Sequence, residues 1–136
     1  MTHAKDRIYT TGLLNNFEFI DFADHVHVEA ANFDAEDPRI VSVEAYDWTD
    51  NVPVALSVVS FNGPDFTFGG GTRIVIEPNT SAFFIVEDVS DSLSYEVRIT
   101  LHNTSEDVVV NVFGHGPVLN RVLDVLHADL RRIDQD

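Results

Sequence analysis

The feature that most constrains the fold of this chain is a two-residue alternation of apolar and polar side chains, repeated in short runs. These runs are rich in valine, isoleucine, phenylalanine and threonine, which suit a pleated surface that is buried on one side. Successive side chains of a strand point to opposite faces, so each run predicts a strand with one buried face. The runs are FEFIDFA, HVHVEA, RIVSVEAYDW, VPVALSVVSF, TRIVIEP, AFFIVEDV, YEVRITLHN and DVVVNVFG.

Turn-forming residues separate the runs at intervals of roughly 10 to 14 residues, which is the spacing of an antiparallel sandwich or barrel. Helical segments do not alternate with these runs, which argues against a parallel α/β sheet. The sequence therefore predicts an all-β fold, an antiparallel β-sandwich of jelly-roll type with about eight or nine strands. We expect a single sandwich domain over residues 16–136, preceded by residues 1–15 as an N-terminal arm or a first strand.

The C-terminal segment GPVLNRVLDVLHADLRRI has a different period. Its apolar residues recur at intervals of three and four, which predicts one apolar face of a helix over residues 118–133. Gly116-Pro117 suits the start of a helix, and the basic Arg131 and Arg132 suit its C-terminal end. A closing strand on VLHADLRRI is the alternative. The apolar positions are Leu119, Val122, Leu123, Leu126, Leu130 and Ile133.

Charge and composition exclude several classes of function. The chain carries 23 acidic and 8 basic residues, a formal net charge of −15, so nucleic acid and anionic lipid should be repelled. It has no cysteine, which removes disulfides, thiolate metal sites and cysteine nucleophiles. No run is long enough to span a membrane, and the first residues lack the apolar segment of a signal peptide. The expectation is synthesis in the cytoplasm without a signal peptide.

The stretch HVHVE places His25, His27 and Glu29 on one face of a predicted strand. Alternate imidazoles on a strand can share a metal ion, as they do in the jelly-roll enzymes called cupins, where a glutamate follows several residues later. Glu29 follows His27 by only two residues, and no other histidine stands in the glycine-and-proline context of the cupin pattern. We therefore expect polar residues on the solvent side of a sheet, with no bound metal and no cofactor. The candidates for a third ligand are His102, His115 and His127.

The loop sequence DAEDPR carries three carboxylates, on Asp34, Glu36 and Asp37. Carboxylates at this density can hold Ca²⁺, but the spacing of an EF-hand loop is absent. A solvated loop is the simpler interpretation, and a calcium- or carbohydrate-binding module remains an alternative function.

Other sequence features have a structural interpretation beside the functional one. Tyr46, Trp48 and Phe61 are candidates for a sugar-stacking platform, although core aromatics are commoner. Asn79 and Asn103 each begin a glycosylation sequon, and we expect both to be turn residues. No nucleophile elbow or other catalytic motif is present, which favours a protein that is not an enzyme.

The second half of the chain combines TRIVIEP, NTSAFFIV and YEVRITLHNTSEDVVVNVFG. Strands that end in Asn-Thr-Ser turns, and a valine-rich strand that closes with Phe-Gly, give Thr72–Leu130 a texture that resembles the small jelly-roll proteins of bacterial spore surfaces. That group comprises exosporium proteins and the subunits of endospore appendages. The resemblance implies a sandwich that polymerises, is made without a signal peptide and is deposited on the spore or cell surface. Appendage subunits cross-link through cysteines in an N-terminal arm, and this chain has none.

The N-terminal segment DRIYTTGLLNNF supplies the predicted contact between subunits. Ile8, Tyr9, Leu13 and Leu14 are apolar residues that a flexible polar tail would not need, and such a segment can pair with the sheet edge of the next copy. The sequence thus favours a non-catalytic structural subunit whose partners are copies of itself, assembled into a filament or layer. A cupin-like metal protein that uses His25 and His27 is the alternative from the enzyme class.

Overall fold

The computed structural model describes residues 6–16, 23–62, 67–68, 72–103, 107–116 and 121–134, and the regular secondary structure of these residues is almost entirely strand. Within the described residues, four of the thirteen strands span two residues only, and nine have four or more. Eight of these nine lie between residues 7 and 115, where the alternation predicts about eight or nine, and the ninth, Arg121–Val125, lies where the sequence predicts a helix. The strands are β1 Arg7–Thr10, β2 Leu14–Asn15, β3 His25–Asn32, β4 Arg39–Asp47, β5 Val54–Ala55, β6 Val58–Asn62, β7 Thr67–Phe68, β8 Arg73–Ile76, β9 Thr80–Val86, β10 Ser94–Leu101, β11 Val108–His115, β12 Arg121–Val125 and β13 Arg131–Arg132. Two short 3-10 helices are Val89–Asp91 and His127–Asp129.

The strands form two antiparallel sheets. Sheet A has the order β13-β1-β10-β4-β5, with β2 also on β10 and β8 also on β4, and sheet B has the order β12-β11-β3-β9-β6-β7. From β3 to β11 the longer strands alternate between the two sheets, as they do in jelly-roll sandwiches. The predicted antiparallel β-sandwich is confirmed. The predicted strand FEFIDFA falls mainly on residues 17–22, outside the described residues.

The core lies between the sheets and follows the alternation of the sequence. Val26 and Val28 of β3 and Val41 and Val43 of β4 are fully buried, while their neighbours in sequence point outward. A side chain of this size contributes about 1.5–3 kcal/mol when it is removed from water, so the inward rows fix which face of each strand is buried. Among the described residues, no helix is long and apolar enough to cross a membrane.

The predicted C-terminal helix is wrong, and the alternative of one closing strand on VLHADLRRI is met only in part, because a 3-10 helix at His127–Asp129 separates β12 from β13. β12 pairs with β11, and after the second 3-10 helix β13 pairs with β1. Leu126 and Ile133, which belong to the expected apolar stripe, are 55% and 43% exposed. The period of three and four was misleading because neighbouring strands offer pairing on both sheets, and this tertiary contact outweighs local periodicity.

The N-terminal segment was expected to be either an arm or the first strand of the sandwich, and in the structure it forms the first strand. β1 pairs with both β10 and β13 of its own chain, and the Ile133 amide donates to the Ile8 carbonyl at 2.8 Å. Tyr9 packs partly buried against the core, and Leu14 lies in β2 on the end of β10. Leu13 is 62% exposed. The main chain of β1 is therefore occupied on both sides by its own sheet.

Candidate metal centre

His25 and His27 lie on the outer face of sheet B. In β3 the valines between and after them are buried in the core, and the two imidazoles are half-buried on the opposite side. Their ring centroids are 5.0 Å apart. The prediction that alternation places both histidines on one face is confirmed.

A third imidazole joins them from the neighbouring strand. β11 runs antiparallel to β3 in a register that sets His115 directly opposite His25. The His115 ring lies 5.2 Å from that of His25 and 4.4 Å from that of His27, measured between ring centroids. One ring nitrogen from each of the three histidines lies within 4.8 Å of the others. We refer to His25, His27 and His115 as the histidine cluster.

The main chain holds the two strands at this point. The Asp24 amide donates to the His115 carbonyl at 2.7 Å, immediately before β3 begins. The ladder between β3 and β11 continues over eight residue pairs to Val108. The positions of the three Cα atoms are therefore set by a long ladder, and only side-chain rotation remains to adjust the ring nitrogens.

The spacing fits a metal ion after small rotations of the rings. Tetrahedral Zn²⁺ with Zn–N bonds of about 2.0–2.1 Å requires ligand nitrogens about 3.3 Å apart. The nitrogens start within 4.8 Å of one another, so χ rotations of the three side chains close the difference. Three protein ligands leave a fourth position for water or another ligand.

The charge state of the cluster also suits a metal. Partial burial, and after it the charges of the neighbouring His115 and His25, together lower the pKa of the His27 imidazole to about 4. His27 is therefore neutral at pH 7, and a neutral imidazole is the form that binds a metal. The Asp24 carboxylate lies 3.9 Å from His25 Nδ1, which is close to the cluster but beyond hydrogen-bond distance.

Aromatic rings surround His27 on the same face of sheet B. Phe113 and Phe83 have ring centroids 6.1 and 6.0 Å from that of His27, and Phe61 stacks on Phe83 at 5.0 Å. All three phenylalanines are half-buried. Their apolar surroundings account for the desolvation that depresses the pKa of His27.

Glu29 does not belong to the cluster. It lies exposed at the next outward position of β3, opposite Asn111 and Phe83. Among the described residues, the group of potential ligands that comes together contains histidines alone. The cupin pattern, which adds a glutamate, is therefore not reproduced.

The other two histidines proposed as third ligands have different contacts. His102 lies between the Ser42 hydroxyl, 2.8 Å from its Nε2, and the Asp6 carboxylate, 3.1 Å from its Nδ1. His127 Nδ1 accepts a hydrogen bond from the Val110 amide at 2.9 Å. The sequence contained His115 as a candidate, but only the strand register distinguishes it from these two.

The calcium candidates form a turn in which the carboxylate of Asp34 is already used. Its Oδ1 accepts from the amides of Glu36 and Asp37 at 2.8 and 3.0 Å, and its Oδ2 accepts from Arg39 at 2.6 Å. These contacts, the two amides first, hold the pKa of Asp34 at about 2. A guanidinium within the group disfavours a cation, so the geometry adds no support for calcium.

The three aromatic residues considered for sugar stacking do not share a surface. Tyr46 and Trp48 lie at the outer side of sheet A, where Trp48 Nε1 donates to buried Glu96 at 2.9 Å and Arg98 Cζ lies 4.8 Å from the centre of the Tyr46 ring. Phe61 lies on sheet B. The prediction that these three residues form one sugar-stacking platform is therefore wrong.

Asn79 and Asn103 both have left-handed backbone conformations, with φ of 55° and 60°. Asparagine tolerates this region because its short side chain bonds locally, and such residues are typical of turns. The prediction that both are turn residues is confirmed.

Comparisons with known proteins give no family. No family description matches the chain, and no curated protein matches it. Among solved structures the chain is similar to that of "Crystal Structure of Thermotoga maritima 1070", with 12% identity over 93% of this chain and 94% of that chain and a TM-score of 0.41. A likeness at this level carries no argument about function. The resemblance to spore-surface proteins stays a prediction.

Proposed function

We propose that this protein binds a divalent transition metal ion through His25, His27 and His115. The observation that carries the proposal is the register of β11 on β3, which brings His115 opposite His25. The expectation of no bound metal depended on the lack of a third ligand, and that reason no longer holds. Imidazole ligands without thiolates suit Zn²⁺, Ni²⁺, Cu²⁺ and Fe²⁺, and Zn²⁺ accepts the three-histidine arrangement with one open position.

The test is calorimetric titration of untagged, EDTA-treated protein with Zn²⁺, in buffer that contains excess Ca²⁺ to occupy surface carboxylates. We expect one equivalent to bind, and the affinity to fall at least about tenfold in His115→Ala and His27→Ala, because each removes a direct ligand. His102→Ala is the matched control, since its ring lies outside the cluster. Absence of saturable binding, or unchanged binding in His115→Ala, would overturn the proposal.

A second candidate function is self-assembly through a sheet edge. β8 and β5 lie on the side of β4 away from β10, and within the described residues β8 pairs with β4 alone. Val75 of β8 and Val54 of β5 are 44% and 55% exposed. An edge strand that carries exposed apolar side chains is a template for pairing with another chain, although β8 also carries the exposed Arg73. This candidate is the self-assembling structural subunit that the spore-surface resemblance implies. The contact between copies is the edge of β8 and β5, and not the N-terminal arm.

Sedimentation of a Val75→Lys variant tests the second candidate. A lysine on an edge strand opposes edge pairing, so we expect oligomers of the native protein to dissociate. Val109→Lys is the matched control, because Val109 is 40% exposed but lies in β11, between β12 and β3. Equal sedimentation of the native protein and both variants would exclude this edge as the contact.

A further inference from the structure

A cleft at the opposite end of β3 from the histidine cluster has the lining of a small-molecule site. It occupies about 400 Å³, within the range of roughly 300–1,000 Å³ that is usual for such sites. It lies where β3 ends and β9 begins, with Asn32 paired to Thr80 and Ala31 to Ser81. His25 is the first residue of β3 and Asn32 the last, which places the cleft about 20 Å from the cluster. The lining residues are Ala31, Asn32, Phe33, Asn79, Thr80 and Ser81.

Phe33 supplies an aromatic wall. Its side chain is 64% exposed, while its main chain is held by a hydrogen bond of 2.8 Å from its amide to the Asp107 carbonyl. A single exposed phenylalanine is ordinary on a protein surface. Here the ring belongs to the lining of a concave site, where an aromatic face can stack on a ligand.

Polar groups form the rest of the rim. Asn79 and Ser81 are exposed and offer an amide and a hydroxyl, each of which can both donate and accept hydrogen bonds. The turn that carries Asn79 is fixed by two hydrogen bonds. The main-chain N–H of Asn79 donates to the Asp34 carbonyl at 3.1 Å, and Thr80 Oγ1 donates to the Glu77 carbonyl at 2.7 Å. The main chain that carries these polar groups is therefore held in place before a ligand arrives.

Among the described residues, the lining of the cleft contains no charged side chain, although the chain carries 23 acidic residues. A metal ion would need carboxylate or imidazole ligands, and a phosphate would need a basic group. The buried Asn32 amide serves the fold, since its nitrogen donates to the carbonyls of Asp37 and Ile76. What remains is a neutral ligand with one apolar face and several hydroxyl groups.

We infer that this cleft binds a neutral hexose or the hexose end of a glycan. The C–H face of the sugar ring stacks on Phe33, and its hydroxyl groups exchange hydrogen bonds with Asn79 and Ser81. This inference does not depend on the proposed metal site, because none of the lining residues belongs to the histidine cluster.

The experiment is saturation-transfer NMR and ¹⁵N chemical-shift titration of EDTA-treated protein with glucose, galactose, mannose, N-acetylglucosamine and their disaccharides at millimolar concentrations. We expect saturable binding of at least one sugar, with shifts confined to residues around Phe33 and Asn79. Phe33→Ala should weaken binding about tenfold or more, and Phe33→Trp should retain it, because a larger ring preserves stacking.

Two further variants make the result specific. Asn79→Gly keeps the left-handed backbone conformation and removes the amide, so its fold should persist while its sugar affinity falls. Leu93→Ala is the control, because Leu93 is 52% exposed and lies outside the cleft. No saturable shift with any sugar of the panel, or equal binding by native protein and Phe33→Ala, would overturn the inference. Zn²⁺ binding would be unaffected by either outcome.

Discussion

Asn16 is a buried side chain that connects three segments of the chain. Its amide nitrogen lies within 3.2 Å of the carbonyls of Ala23, Val89 and Ser92, and its Oδ1 accepts from the Ala23 amide at 2.6 Å. It is 6% exposed. Removal of this side chain would leave several buried main-chain groups without their partner.

We expect Asn16→Ala to lower the free energy of unfolding by about 2–4 kcal/mol, since each unsatisfied buried group costs about 1–3 kcal/mol and local rearrangement recovers part of the loss. Urea denaturation followed by circular dichroism measures the change. The control is Ser90→Ala, which alters an exposed side chain in the neighbouring 3-10 helix. A loss in Asn16→Ala no larger than in Ser90→Ala would contradict this account of the amide.

His27 makes stability depend on pH, because its imidazole stays neutral in the folded protein, with a pKa of about 4, and takes up a proton on unfolding. The unfolded state, with a pKa of about 6.5, binds more protons between these values, so stability falls as pH falls through that window. With allowance for its partial exposure, we expect a loss of about 1–2 kcal/mol between about pH 6.5 and 4.5.

The comparison is between native protein and His27→Phe, both in EDTA, by urea denaturation across this pH range. Burial also lowers the pKa of His127, and this adds the same pH dependence to the free energy of unfolding of both proteins. The difference between them therefore reports His27. Equal slopes for the two proteins would show that His27 is protonated without cost in the folded state.

At the scale of one residue, the sequence could place His25 and His27 on a common face but could not select the third ligand. Alternation is a local property, and it determines which way each side chain points. His115 lies far along the chain, and its position opposite His25 depends on the register of two strands. A shift of β11 by one residue would turn His115 into the core and leave the pair alone.

At the scale of an element, alternation identified the long strands because each has one buried face, as in β3 and β4. It failed at the C-terminus, where short strands β12 and β13 depend on their partners β11 and β1 for their conformation. Two-residue strands such as β13 have too few residues to show a period. Such short strands form only because they pair with the longer strands of an existing sheet.

The strand β1 allows a direct test of the two roles considered for the N-terminal segment. In its own sheet β1 bonds to β10 and β13, and the buried Thr10 hydroxyl contacts the Glu96 carboxylate. Deletion of residues 1–12 should therefore lower the free energy of unfolding by roughly 3–5 kcal/mol, because it removes a ladder and exposes a buried carboxylate.

Circular dichroism with thermal unfolding measures this effect, with the exposed-site variant Leu13→Ala as control. If the segment instead serves the next subunit, the truncated protein will remain folded with native stability and become monomeric by sedimentation. That result would restore the N-terminal arm as the connector and show that its pairing within one chain is not the stable arrangement.

At the scale of the whole molecule, charge acts against association. Nine carboxylates and a single base, Arg39, lie between Asp21 and Asp50. Arg39 is itself held by Asp34 at 2.6 Å and by Asp107 at 3.3 Å, so it offers little attraction to a second copy. Among the described residues of this segment, the exposed carboxylates are those of Glu29, Glu36, Asp37, Glu44 and Asp50.

Added salt should therefore strengthen any association between copies. Raising the ionic strength from about 0.01 to 1 M shortens the Debye length from about 30 to about 3 Å, which screens like charges on approaching subunits while apolar edge contacts persist. Light scattering and sedimentation at neutral pH measure the effect. A pH near the isoelectric point of about 4.4 should act in the same direction, but the lowered pKa of His27 makes the folded state less stable there relative to the unfolded state, so salt is the cleaner variable. If the edge of β8 is the contact, salt will promote association of the native protein and of Val109→Lys but not of Val75→Lys. Association that weakens steadily with salt in the native protein would instead mean that subunits attract one another through opposite charges.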